Sequence, residues 1–130
     1  MPGTDDWIDK AAITELITRY VALNDAGDWQ GLAALYTQDG RMNRPTAPDE
    51  FVDGRDAILA SFEARPQRVA RHIVANVLVF LDDADHARAT SNILLFTAAD
   101  APPLVGTYRD RLEKTSEGWR FVERCGSLDF

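Results

Sequence analysis

Apolar residues recur every three or four positions through the first part of the chain. Ile13, Leu16, Ile17, Tyr20 and the polar Asn24 fall on one stripe. That spacing is one face of a helix and predicts a helix from Asp6 to Ala26. Gly27 is a natural stop, because glycine enters the left-handed region without steric cost. Asp28 can then cap a second helix, Trp29 to Tyr36, by accepting bonds from its free N–H groups. Leu32, Leu35 and Tyr36 are expected to face inward. The stretch from Arg41 to Asp53 holds Pro45 and Pro48 and reads as a short strand followed by a loop. Gly54 to Ala64 has Ile58, Leu59 and Phe62 at helical spacing, and Pro66 blocks any continuation.

From Arg71 the pattern becomes one of strands. Arg71–Leu81, His86–Thr97, Leu104–Lys114 and Trp119–Leu128 are rich in alternating or β-branched residues. Asp82-Asp83-Ala84-Asp85, Ala101-Pro102-Pro103 and Ser116-Glu117-Gly118 separate them with turn chemistry. Strict alternation places His72, Val74, Asn76, Leu78 and Phe80 on one face of the first of these strands. Helices followed by strands signal an α+β fold rather than alternating α/β units. We expect three N-terminal helices packed on a curved, mostly antiparallel sheet of four to six strands, forming a cone with one pocket. With 130 residues, the chain reads as one domain over positions 1–130.

Composition narrows the function classes. An apolar fraction of 45% and a charged fraction of 27% suit a packed globular domain. The formal charge of −7 has the wrong sign for displacing counterions from nucleic acid, or for an anionic membrane. No apolar run approaches the roughly 20 residues of a membrane span. Cys125 is the one cysteine, so an internal disulfide is excluded. With a short acidic N-terminus, this points to a reducing compartment and a cytoplasmic location. Two histidines and one cysteine do not make a tetrahedral zinc site. Neither a glycine-rich phosphate loop nor a nucleophile-elbow serine appears. The expectation is therefore chemistry without a metal or cofactor.

Several local strings come in a telling order. They are Tyr20…Asn24-Asp25-Ala26-Gly27-Asp28-Trp29, Asp39-Gly40, Gly54-Arg55-Asp56-Ala57-Ile58, Arg71-His72…Asn76, Gly106-Thr107-Tyr108-Arg109-Asp110 and Gly118-Trp119-Arg120-Phe121. In this order and spacing the chain resembles the SnoaL-like group of the nuclear transport factor 2-like superfamily. That frame hosts enzymes, binding proteins and partner modules alike. In scytalone dehydratase-like members an aspartate ends the first helix and a histidine opens a central strand. Asp25 and His72 hold those places, whereas a second histidine of that pattern has no counterpart near Thr97. The stretch Tyr20 to Pro45 is similar to ketosteroid isomerase-like members, with Tyr20 matching their oxyanion-binding tyrosine. Their aspartate before a proline is replaced by Arg44, which cannot act as a carboxylate base.

Asp25 with His72 is thus the candidate catalytic pair. A carboxylate can fix an imidazole in one tautomer and leave the other nitrogen to move a proton. That suits loss of water or proton abstraction beside a carbonyl. The plainer reading is a satisfied strand histidine and a helix-end carboxylate. On a regular helix Asn24 lies mid-stripe and Asp25 is turned by about 100° toward the rim. Tyr20, Asn24, Asn76 and Tyr108 are the candidate ligand contacts. Asp110 and Arg124 on neighbouring strands can pair. The expected ligand is a small, largely apolar cyclic molecule. A non-catalytic binding or assembly module is the alternative. A homodimer is also expected, with Ile93, Leu95, Leu104 and Leu112 as apolar residues of an outer sheet face.

Overall fold

The computed structural model describes residues 4–66 and 69–130. Its elements run α1 (Thr4–Ala26), α2 (Trp29–Ala33), β1 (Tyr36–Arg44), β2 (Ala47–Asp53), α3 (Arg55–Glu63), β3 (Arg71–Leu81), β4 (His86–Phe96), β5 (Leu104–Thr115) and β6 (Gly118–Leu128). The six strands form one sheet in the order β2-β1-β6-β5-β4-β3. All neighbours are antiparallel except β1 and β6, which run parallel.

The signals at the helix ends act as expected. Gly27 takes a φ of 73° after α1, and Asp28 Oδ1 accepts the N–H of Gly31 at 2.9 Å. Helix α2 is shorter than expected. Tyr36 opens β1 instead of closing a helix, and its chain neighbour Leu35 accepts a backbone bond from Phe121. The predicted loop after Arg44 is strand β2, which folds back on β1 and widens the sheet.

Irregular pairing bends the sheet. Ala75 faces Asn92 but Leu78 faces Thr90, so β3 holds one residue more than β4 over that stretch. Asn76 sits at this bulge with a φ of 55°. A second bulge lies at Val122 in β6, between the pairs Arg111–Glu123 and Leu112–Phe121. Bulges increase twist and bend a strand, and here they curl the sheet around α1. Ile13, Leu16, Ile17 and Tyr20 of α1 meet Ala87, Ala89, Leu112, Trp119 and Phe121 of the sheet, with Ile58 and Phe62 of α3 closing the side. The small alanines of β4 admit the large residues of α1. No helix among the described residues is long and apolar enough to cross a membrane.

The face assignments need two corrections. Past the bulge Val77, Val79 and Leu81 turn inward, and Leu78 and Phe80 turn outward. The residues expected on the outer face lie elsewhere: Ile93, Leu95 and Leu112 are buried, and Leu104 borders an internal cavity. On β3 the exposed large apolar residues are Ile73, Leu78 and Phe80.

Candidate active site

A cavity of about 250 Å³ opens between the C-terminal half of α1 and the curled sheet. Tyr20 and Asn24 reach it from α1, His72 from β3, Ile93 and Leu95 from β4, and Tyr108 from β5. The β1–β2 connection and the end of α3 supply the remaining side. A second, outer cavity of about 510 Å³ lies beside it, bordered by Asp25, Trp29, Val69 and Ala70. Asn24 and His72 line both, so they stand where the two spaces meet.

Asp25 and His72 come together although 47 residues separate them. Asp25 Oδ1 lies 2.5 Å from His72 Nδ1. The same carboxylate accepts the backbone N–H of His72, at 2.9 Å to Oδ2 and 3.2 Å to Oδ1. Arg71 Nε stands 3.6 Å from Oδ2. The two side chains are 15% and 13% exposed, sheltered but within reach of a cavity. A carboxylate only accepts, so the neutral ring carries its proton on Nδ1. That leaves Nε2 as a proton acceptor, without a partner among the described residues. The location follows from local structure. Asp25 occupies the last turn of α1 just before Gly27, and His72 is the second residue of β3. Asn24 is the inner-cavity residue of the pair at the helix end, as the helical stripe implies. Asp25, turned toward the rim, lines the outer cavity alone.

Under the cavity lies an aromatic and ionic floor. The guanidinium carbon of Arg124 sits 4.2 Å from the Tyr20 ring, 3.9 Å from the Tyr108 ring and 4.7 Å from the Phe121 ring. Its Nε donates to Asp110 Oδ1 at 3.0 Å, which realises the predicted cross-strand pair. Both residues are buried, and neither Nη1 nor Nη2 of Arg124 nor Oδ2 of Asp110 has a partner among the described residues. The hydroxyls of Tyr20 and Tyr36 share a bond of 2.9 Å. Burial raises the pKa of both phenols, so each stays protonated at neutral pH. Burial raises Tyr108 in the same way.

Asn76 is not part of this arrangement. The bulge turns it to the outer face, where its amide donates to Asn92 Oδ1 at 3.0 Å. The strict alternation that put it beside His72 fails at that one residue. Conversely, the β1–β2 connection, where no ligand contact is expected from the sequence, borders the cavity. Asn43, a buried residue there, donates to Pro48 O and accepts the N–H of Gly126. This tie brings Pro45 against Gly126, where an added Cβ would lie 2.6 Å from Pro45 Cγ and 3.0 Å from Tyr108 Cε1. Arg44, seen in the sequence as a departure from a base, is a cavity residue in its own right. The strand-pairing signal for this segment was masked by its two prolines.

Comparison with known proteins places this geometry in context. A family model described as a SnoaL-like domain matches residues 5–125. No curated protein matches the sequence. An NTF2-like protein with a cystatin-like fold from Novosphingobium aromaticivorans is 25% identical with a TM-score of 0.82, covering 99% of this chain and 92% of that one. The Mycobacterium tuberculosis protein Rv3472, of unknown function, is 29% identical with a TM-score of 0.82, over 95% of this chain and 77% of that one. A protein of N. aromaticivorans named as a candidate scytalone dehydratase has a TM-score of 0.85 at 24% identity, over 98% and 89% of the two chains. At that identity the likeness is one of fold.

Proposed function

We propose that this chain, which belongs to the SnoaL-like domain family, binds a small, largely apolar cyclic molecule and moves a proton on it with His72. The reaction class is a cofactor-independent lyase or dehydratase, or an isomerase. The observation that carries the reading is the short Asp25–His72 Nδ1 bond beside a cavity, with Nε2 unbonded among the described residues. Asp25 sets the tautomer and stabilises the imidazolium that forms when Nε2 takes a proton. Asn24, placed next to His72 on the cavity wall, can hold a substrate oxygen. Tyr20 and Tyr108 supply protonated aromatic walls on the floor side.

The test uses a cyclic ketone, 2-tetralone, and follows hydrogen–deuterium exchange beside its carbonyl by NMR. The native chain should accelerate exchange, and His72→Gln should lose about 10²–10⁴-fold, the usual contribution of a positioned acid or base. Asp25→Asn should lose activity and shift its pH profile. Full exchange activity in His72→Gln would sink the assignment.

A second reading has its own support. Asp25 also clamps the backbone N–H of His72, which is what a purely structural staple between helix and strand would do. On that reading the domain binds without turnover. Ligand binding in the absence of any exchange, indifferent to substitution of His72, would favour it.

We also expect the chain to pair as a homodimer through the outer face of β3, where Ile73, Leu78 and Phe80 are exposed. A monomeric mass by light scattering at micromolar concentration would contradict this.

A further inference from the structure

The inner cavity is electrically lopsided in a way the whole chain is not. The protein carries a formal charge of −7, yet the cavity wall includes Arg44 and Arg65 and, among the described residues, no aspartate or glutamate. Asp25 lines the outer cavity and is engaged with His72 and Arg71, and Asp110 beneath the floor is paired with Arg124.

Arg44 is held in place by neutral groups. Its Nη2 donates to the backbone oxygen of Ser61 at 2.9 Å and to Ser61 Oγ at 2.8 Å. Those bonds tie the end of β1 to α3 and fix the guanidinium plane without neutralising its charge. Nε and Nη1 have no partner among the described residues, and Arg44 enters no ion pair there. The Arg65 guanidinium lies over the Phe62 ring, 4.0 Å from its centroid, and adds a second positive charge to the same side. Across the cavity stand Ile93, Leu95, Leu104 and Leu128. One side is cationic and the other apolar.

We propose that the ligand of this cavity is an organic monocarboxylate with an apolar ring body, its carboxylate on Arg44 and its ring against the β4–β5 wall. The inference rests on the reading of the cavity as a ligand site, but not on proton transfer by His72. A guanidinium presents a planar donor fork that matches a carboxylate, and such charge-assisted bonds are the stronger ones. In a partly enclosed site of low dielectric, a fixed cation with no fixed anion favours an anionic guest over a neutral one. The volume is slightly below the range of about 300–1,000 Å³ typical of drug-sized ligands, which suits one or two rings.

The experiment is calorimetric titration of the full chain with 2-naphthoate and with its neutral methyl ester. The acid should bind about tenfold to a hundredfold tighter than the ester, the range that hydrogen bonds to charged groups supply. Raising the salt concentration should weaken the acid and leave the ester unchanged. Arg44→Gln should remove most of the preference, and Arg44→Lys should keep part of it. The salt series uses the native chain alone, so it stands even if Arg44→Gln does not fold. Equal affinities, or a tighter ester, would overturn the inference while leaving the cavity as a ligand site. An acid preference that survives intact in folded Arg44→Gln would overturn the role of Arg44. If neither compound bound at millimolar concentration, the inference would fall together with the cavity reading. Loss of exchange activity in His72→Gln alone bears on proton transfer and not on this preference.

Discussion

Replacing Asp110 with asparagine isolates the charge buried beneath the cavity. Asp110 is 3% exposed. One of its oxygens accepts from Arg124 Nε at 3.0 Å, and the other has no partner among the described residues. Burial pushes the pKa of Asp110 up to about 6, against the pull of Arg124. Burial also works against the charge of Arg124, yet Asp110 and the surrounding tyrosines outweigh it and raise the pKa of Arg124. For the carboxyl of Asp110, desolvation thus outweighs the attraction of Arg124. A folded pKa above the unfolded value of about 3.9 means that the native state binds the proton more tightly. This group's contribution to stability is fully present below about pH 4 and is lost as the pH rises through 6. Between pH 5 and 7.5 the loss amounts to about 1 kcal/mol, the equivalent of one pH unit of differential protonation. The observable is the stability of the native chain minus that of Asp110→Asn, so that the other carboxylates cancel. Urea unfolding followed by tryptophan fluorescence should show this difference falling by about that amount from pH 5 to 7.5. A difference that stays flat, or grows toward neutral pH, would refute the claim that desolvation outweighs the ion pair.

The outer face offers two further tests. Asn76 holds a φ of 55°, where a β-branched residue is strained. Asn76→Val should lose about 1–2 kcal/mol in thermal unfolding, whereas Asn76→Gly, which also forfeits the exposed bond to Asn92, should change little. Equal losses would show that the position is chosen for its side chain and not its backbone. Phe80→Lys places a charge in the expected dimer face and should leave a single chain of 14.5 kDa by light scattering while the fold persists by circular dichroism. An unchanged dimer would move the interface away from β3.

Much of the fold was legible because its elements obey simple periods. The α1 stripe of Ile13, Leu16, Ile17 and Tyr20 is the buried face. Asp28 caps where its carboxylate predicts, and Pro66 follows α3. Strands β3 to β6 lie within a residue or two of their expected limits. The failures have physical causes. Tyr36 joins a strand because Phe121 offers its backbone N–H to Leu35 from the far end of the chain. That is a long-range bond, and helical spacing around Leu32 cannot anticipate it. Pro45 and Pro48 looked like loop punctuation. Pro45 does occupy the turn between β1 and β2, whereas Pro48 lies in β2, an edge strand that leaves one row of backbone groups unpaired.

The candidate site divides along the same line. Asp25 and His72 were visible because each sits at an element end, and ends are marked by local residues: Gly27 after one and the onset of β-branched residues after the other. Their convergence needs no count of faces. Asn76 did need such a count, and a single inserted residue reversed it, carrying Leu78 and Phe80 to the opposite side of β3. Period-two reasoning holds only as far as the next bulge. Here the bulge decides which side chains of β3 face α1. It leaves His72 and Val74 facing the helix at one end of β3 while Val77 and Val79 face it at the other. The His72 ring therefore borders both cavities, while Val77 and Val79 pack against the main core. Without the extra residue, strict alternation would turn Asn76 inward in place of Val77 and set a polar amide against the core. The bulge at Asn76 thus keeps the inward positions of β3 beyond Val74 apolar.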